Sequence, residues 1–265
     1  MRHWRWVAFG VAAGALVVVE RLWPLRLRKD PAPARIGRNL TIGLLAAATT
    51  AASEMPLVAP VQRLAARRQI GLLRVLPLPR ALRIVLGFLL LDYTLYIWHW
   101  LNHRTPALWR FHAVHHIDLD LDSSTGIRFH FGELALAAGF RAAQVLLLGV
   151  DDETLRVWQQ CLLLSVIFHH SNVDLPIDVE RRLQAVIVTP RMHGIHHSTR
   201  AEETNTNFSS LLSCWDRMHR SLRLDVPQSA ITIGIAGFLE PADVTLERSL
   251  TLPFRDAPRL VSPDV

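Results

Sequence analysis

The sequence predicts an all-α integral membrane protein with four or five transmembrane helices and a cytoplasmic helical cap, on three observations. Of its 265 residues 50% are hydrophobic and only 20% charged, where a soluble domain carries about a quarter. The apolar residues gather in runs near the length that crosses a bilayer. Eleven of the 13 histidines fall between positions 99 and 197, in the second half of that pattern. Composition excludes a disordered or collagen-like chain, and two cysteines, Cys161 and Cys214, make no disulfide framework. A net charge of +6 is weak evidence for nucleic acid, and no nucleic-acid partner is expected.

Residues 6–19 are apolar and uncharged, followed by Glu20-Arg21-Leu22-Trp23-Pro24. That is not a small-residue cleavage site, so the segment reads as a retained membrane helix rather than a secretory signal. Residues 40–60 form a softer run containing Thr41, Thr49, Thr50, Ser53 and Glu54, compatible with a span or with a dip into the interface. The linker 62–83 carries six arginines, and a full count of spans puts it outside, against the positive-inside rule. Residues 84–101 make a firmer span of about 27 Å as a helix. Residues 133–150 and 154–168, separated by Asp151-Asp152-Glu153, form a hairpin that returns the chain to the side it left. The Arg-rich flanks of this hairpin are expected to be cytoplasmic, and the segment after 181 to form a polar cap. Three regions follow: 1–83 with the N-terminal helices and basic linker, 84–223 with the histidines and the hairpin 133–170, and 224–265 as an irregular peripheral tail.

The histidine spacings repeat. His99 and His103 stand at i, i+4, while His112, His115 and His116 read H-x-x-H-H, as do His193, His196 and His197. Positions three and four apart share a helix face, so each triplet is expected to present three imidazoles to one point. Eight imidazoles exceed the coordination of one ion, which implies two metals. The H-E-x-x-H of zinc proteases is absent, no Cys stands in the clusters, and imidazole suits iron or zinc. His170 and His130 are candidates to complete the ligand set, and His169 a weaker one; His3 and His219 fall outside the cluster. Asp92, on one stripe with Tyr96, His99 and His103, sits in an apolar helix where a carboxylate is costly. It is expected to accept a ligand histidine's ring N–H.

The segments 92–99, 108–116, 125–130, His170-Ser171-Asn172, Pro190-Arg191-Met192-His193-Gly194-Ile195-His196-His197 and Asn207-Phe208 leading to Trp215-Asp216-Arg217 resemble the sterol desaturase / fatty acid hydroxylase superfamily over 84–223. The resemblance implies a membrane-bound non-haem di-iron oxygenase. Its metal boxes fall on His99, His103, His112, His115, His116, His193, His196 and His197. His170 is similar to an additional ligand, His130 matches an R-x-H found in bacterial members, and Asn172 joins Asp92 as a catalytic candidate. The pattern departs at Phe131, Gly194 and Ser209, which bears on substrate shape.

The expected reaction uses two Fe ions and O₂ to hydroxylate or desaturate a membrane lipid. No dinucleotide fingerprint or fused haem domain is present, so electrons are expected from a separate ferredoxin- or cytochrome-type donor with its reductase. Two rival readings stand beside it: a zinc or other redox-inert metal enzyme acting on a membrane lipid, and a metal store or transporter. The transporter reading calls for ligands at the bilayer midplane, whereas these clusters follow the helix ends.

Overall fold

The structure is a computed structural model that describes residues 3–30, 32–255 and 258. Its described residues form helices and turns, with isolated bridges in place of a sheet. The chain opens with α1 (His3–Leu22) and then α2 (Ala32–Arg68). The latter runs straight through the soft stretch and past Pro56 and Pro60. Its polar residues are absorbed locally: Thr41, Thr49, Thr50 and Ser53 each donate their hydroxyl to the carbonyl four residues earlier. That satisfies side chains that would otherwise face lipid unpaired.

After α2 come a short α3 (Leu72–Val75) and the long α4 (Arg80–Asn102). The hairpin is α6 (Phe131–Leu148) and α7 (Asp152–His170), separated from α4 by α5 (Pro106–His116). Gly149 ends α6 in the left-handed conformation at φ 70°, which glycine adopts without steric cost. Asp151 then caps α7 by accepting from Thr154 N–H. The Arg-rich linker lies against this turn, with Arg80 3.1 Å from Glu153, so it sits at the end of the bundle away from the histidines.

Among the described residues, by length and composition three helical segments suffice to cross a membrane: one within Pro33–Val75, then Arg80–Asn102 and Phe131–Leu148. Four or five were expected; the first half of α7 carries Asp152, Glu153, Arg156, Gln159 and Gln160, which dilutes its hydropathy. Val58, Leu73, Leu91, Val145, Leu155 and Trp158 interlock α2, α3, α4, α6 and α7 in one core, and α2 packs most extensively on α6.

The polar cap holds α8 (Ile177–Leu183), α9 (Pro190–His196), α10 (Ala201–Thr204) and α11 (Cys214–Met218). The tail departs from expectation. Residues 225–255 include α12 (Leu246–Thr251), and Val244 and Leu252 are buried in a second core with Trp109, Ala113 and Ile117. The prolines of this stretch start 3₁₀ turns instead of keeping it off the body, because its apolar side chains cover the outer face of α5. The side chain of His3 and most of 256–265 lie outside the described residues.

Candidate metal centre

The two H-x-x-H-H boxes are built alike. In each, a Thr-Pro pair starts a short helix: Thr105-Pro106 for α5 and Thr189-Pro190 for α9, with Pro at the first turn, where its missing N–H costs nothing. Each helix then ends in its histidines, with His197 as the cap residue of α9. His99 lies in the last turn of α4 and His103 is its cap residue, while His170 is the final residue of α7.

These nine side chains converge as two groups, all buried: His99, His103, His112, His116 and His196 in one, His115, His170, His193 and His197 in the other. Within each group one nitrogen per ring lies within 4.8 Å of all the others. The triplets do not point to a single centre, as their sequence spacing led us to expect. His112 and His116 share the first group while His115 enters the second; His193 and His197 share the second while His196 enters the first. The reason is helical geometry: i and i+4 nearly eclipse, but i+3 and i+4 are adjacent residues about 100° apart around the axis. Each box thus straddles both groups and holds them together, with the His116 and His197 rings stacked at 4.3 Å.

The nitrogen chemistry fits metal. Nε2 atoms face each other at 3.0 Å for His115 and His170, 3.0 Å for His170 and His193, 3.1 Å for His193 and His197, and 3.1 Å for His99 and His196. Two imidazole nitrogens about 2.1 Å from one ion and at right angles to each other stand about 3 Å apart. The Nε2 atoms of His103, His112 and His116 are buried with no hydrogen-bond partner, a cost that native interiors avoid unless a ligand meets it.

Other contacts fix the tautomers. Nδ1–H of His99 donates to the Phe208 carbonyl at 2.7 Å, that of His196 to Thr206 at 2.7 Å, that of His170 to Val166 at 2.7 Å and that of His115 to Arg128 at 3.2 Å. His112 Nδ1 is 2.9 Å from Glu133 Oε1. In every case the lone pair is left on Nε2, toward the group. Asn207 makes two of these contacts possible. It takes φ 55°, tolerable for Asn, and its side-chain amide donates to the Met192 and Arg223 carbonyls. The carboxylate of Asp216 accepts from Phe208 and Ser209 N–H at 2.8 and 3.0 Å, locking the turn that presents the Thr206 and Phe208 carbonyls.

Burial, reinforced by neighbouring imidazoles, holds His115, His116, His193 and His197 well below the ordinary 6.5. Burial likewise brings His196 down to about 3. All five are therefore neutral at physiological pH, the form that binds metal.

Three residues singled out from sequence do other work. His130 caps α6: its Nδ1 accepts from Gly132 N–H at 2.9 Å, and its Nε2 is 3.2 Å from the Leu250 carbonyl. Both nitrogens are engaged, and it belongs to neither group. Asp92 reaches no histidine; it accepts from Leu212 N–H at 3.1 Å and Trp215 Nε1–H at 2.7 Å, tying α4 to the cap, because its turn of α4 faces the 212–215 loop. Asn172 clips the backbone of Arg26, accepting from its N–H at 2.9 Å and donating to its carbonyl at 2.8 Å, which ties the end of α7 to the segment after α1. His169 is buried beside His193, ring centroids 4.1 Å apart, yet outside both groups. Gly194 has a spatial cause: the Arg26 guanidinium occupies the place of a Cβ, donating to the Pro190 carbonyl at 2.8 Å.

The carboxylate that holds one of the clustered rings is Glu133. Its sequence signal was a Glu three residues past His130 at the head of an apolar helix, legible only once α6 is set beside α5. A cavity of about 400 Å³ opens on the histidines and extends between α2, α4, α6 and α7, lined chiefly by apolar side chains such as Leu95, Trp98, Phe140, Leu162 and Val166.

Comparison with known proteins agrees with this geometry. The family model described as fatty acid hydroxylase matches residues 84–221. An ornithine lipid hydroxylase of Rhizobium tropici is 32% identical over 163 residues, covering 60% of this chain and 47% of that protein. Cholesterol 25-hydroxylase of Homo sapiens is 27% identical over 143 residues, covering 53% and 51%, and alkylglycerol monooxygenase of Homo sapiens 26% over 132 residues, covering 50% and 28%. The chain thus spans about half the length or less of these relatives. No solved structure gives a significant match. With a match that covers more than half its length and contains all nine clustered histidines, the chain belongs to the fatty acid hydroxylase family, within the sterol desaturase superfamily.

Proposed function

We propose that this protein is a membrane-bound di-iron oxygenase that hydroxylates a lipid-like substrate, with O₂ as co-substrate and electrons from a separate carrier protein. The observation that carries the reading is nine buried imidazoles, gathered into two adjoining groups at the end of an apolar cavity. The names of the relatives, all lipid hydroxylases or monooxygenases, support it.

The five-histidine group would hold one ion and the four-histidine group the other. Bound there, the irons supply O₂ activation and the oxidising power to break an unactivated C–H bond. The overall balance is R–H + O₂ + 2e⁻ + 2H⁺ → R–OH + H₂O. The chain's own contribution is to keep the rings neutral, to aim their lone pairs through Glu133 and the Phe208, Thr206, Val166 and Arg128 carbonyls, and to line the approach with apolar side chains that exclude water. Three candidate spans support entry of substrate from the bilayer. We assign the histidine end to the cytoplasmic face, where Arg181, Arg182, Arg191, Arg200, Arg217, Arg220 and Arg223 of the cap suit an acidic electron carrier.

Metal analysis and oxygen uptake of the purified protein test the reading. About two irons per chain, lipid-dependent O₂ consumption and a +16 Da product are expected, with the oxygen uptake and the product lost in His196→Ala, which removes a side chain of the five-histidine group. Two zincs with no oxygen uptake would overturn it in favour of a redox-inert lipid enzyme.

A further inference from the structure

The cavity has a second, polar end. Glu54 of α2, Arg141 of α6 and Gln159 of α7 line it together with His99, His112, His115, His170 and His193. Glu54 Oε1 accepts from Gln159 Nε2–H at 2.9 Å and stands 3.8 Å from Arg141 Nε, too far for a direct hydrogen bond. That Nε is buried without a hydrogen-bond partner. Arg141 itself is held in place, its guanidinium over the Trp158 ring at 4.5 Å and hydrogen-bonded to Gln144. Arg141 and Glu54 lie within two of the three candidate spans, where ionisable groups are expensive and mark function.

We propose that this end of the cavity recognises a hydroxyl group, so that the substrate class is an elongated apolar alcohol whose far carbons reach the histidines. The proposal takes its oxidation chemistry from the reading above, but its binding claim stands apart from it. The Glu54–Arg141 pair is already neutral overall. An ionic headgroup would bring an uncompensated charge into a low-dielectric site, whereas a hydroxyl adds none and is both donor and acceptor. Inserted between the two, it donates its proton to Glu54 and accepts from Arg141 Nε–H, satisfying the orphaned donor. The walls between the two ends are apolar, with Leu95, Phe140 and Leu162 among them.

The span is set by the helices. Arg141 lies eight residues beyond Glu133, the partner of His112, or about 12 Å along α6. Gln159 lies eleven residues before His170, or about 16 Å along α7. A stretched chain advances about 1.2 Å per bond, as the roughly 3.5 Å per three-bond residue of an extended polypeptide shows. The carbon that reaches the histidines is therefore about ten to thirteen bonds from the hydroxyl.

The test measures equilibrium binding of 1-hexadecanol and of its methyl ether to the purified, metal-free protein, with partition into empty micelles subtracted. The ether keeps the chain and loses the donor. Wild-type protein is expected to prefer the alcohol at least tenfold. Glu54→Gln, which keeps an acceptor oxygen and gives up the charge, is expected to reduce that preference, and the double variant Glu54→Met with Arg141→Met to lose it, both holding the ether within about twofold. The double variant guards against a folding artefact, since replacing a buried ion pair by apolar groups of similar volume is often neutral or stabilising. Equal affinity for both probes in the wild type, or a preference that survives the double substitution, overturns the proposal. Because no iron or O₂ enters the measurement, failure of the oxygenase reading would show separately, as an alcohol that binds selectively and is not oxidised by the iron-loaded protein.

Discussion

On the proposed two-metal reading, removal of Glu133 perturbs one candidate ligand, His112, in one of the two histidine groups. Its carboxylate accepts the Nδ1–H of His112 at 2.9 Å, with both side chains buried. In Glu133→Ala that N–H is left without a partner, at a cost of about 1–3 kcal/mol. At about 1.4 kcal/mol per factor of ten, this is roughly a 5- to 150-fold loss of affinity, in line with the 10–100-fold range for outer partners of metal ligands. Glu133→Gln retains an acceptor oxygen and gives up the charge, so it belongs at the lower end, roughly tenfold. His112 belongs only to the five-histidine group; hence, on the proposed reading, the ion held there should weaken and the one in the four-histidine group should keep its affinity. Chelator competition followed by metal analysis reads the two sites apart. If Glu133→Ala held both ions as tightly as wild type, the assignment of Glu133 as the carboxylate that orients His112 would be wrong.

Other expectations follow from the same contacts. His130→Ala removes the cap of α6, not a ligand, so metal content should remain intact while thermal unfolding shows a loss of about 1 kcal/mol; a halved metal content would contradict this. Gly194→Ala drives a methyl into the Arg26 guanidinium, with an overpacking cost of about 1–3 kcal/mol. That cost should shrink in an Arg26→Ala background, and a cycle showing strict additivity would argue against the contact. The pH dependence has a definite sign. The imidazoles of His115, His116, His193, His196 and His197 have folded values below the 6.5 of the free side chain, so the unfolded chain binds more protons as pH falls under 6.5. Stability of the metal-stripped protein is then complete above that pH and declines from there toward about pH 3, the folded value of His196. His197→Gln should flatten the decline measured by melting temperature, and an unchanged slope would refute the account.

Much of this protein is written in one dimension. Apolar runs of bilayer length mark α4 and α6, and the Asp151-Asp152-Glu153 break marks the hairpin turn, because length and hydropathy are properties of contiguous residues. The nine histidines are equally legible, since their spacing is a local helical signal. What spacing conceals is allegiance: whether His115 sides with His116 or with His170 depends on where α7 and α9 stand, 23 residues apart at His170 and His193 and brought within 3.0 Å only by the fold. The same holds for His130, Asp92 and Asn172. Each is a plausible site residue by its neighbours in sequence, yet its partners Leu250, Trp215 and Arg26 are over one hundred residues away. Conversely, Glu54 and Arg141 look like blemishes in two apolar helices until packing brings them to one cavity. Helical periodicity determined which side chains share a face; only the docking of one helix on another decided which of those faces meet, because a lone pair or a carboxylate acquires its role from atoms within about 3 Å of it.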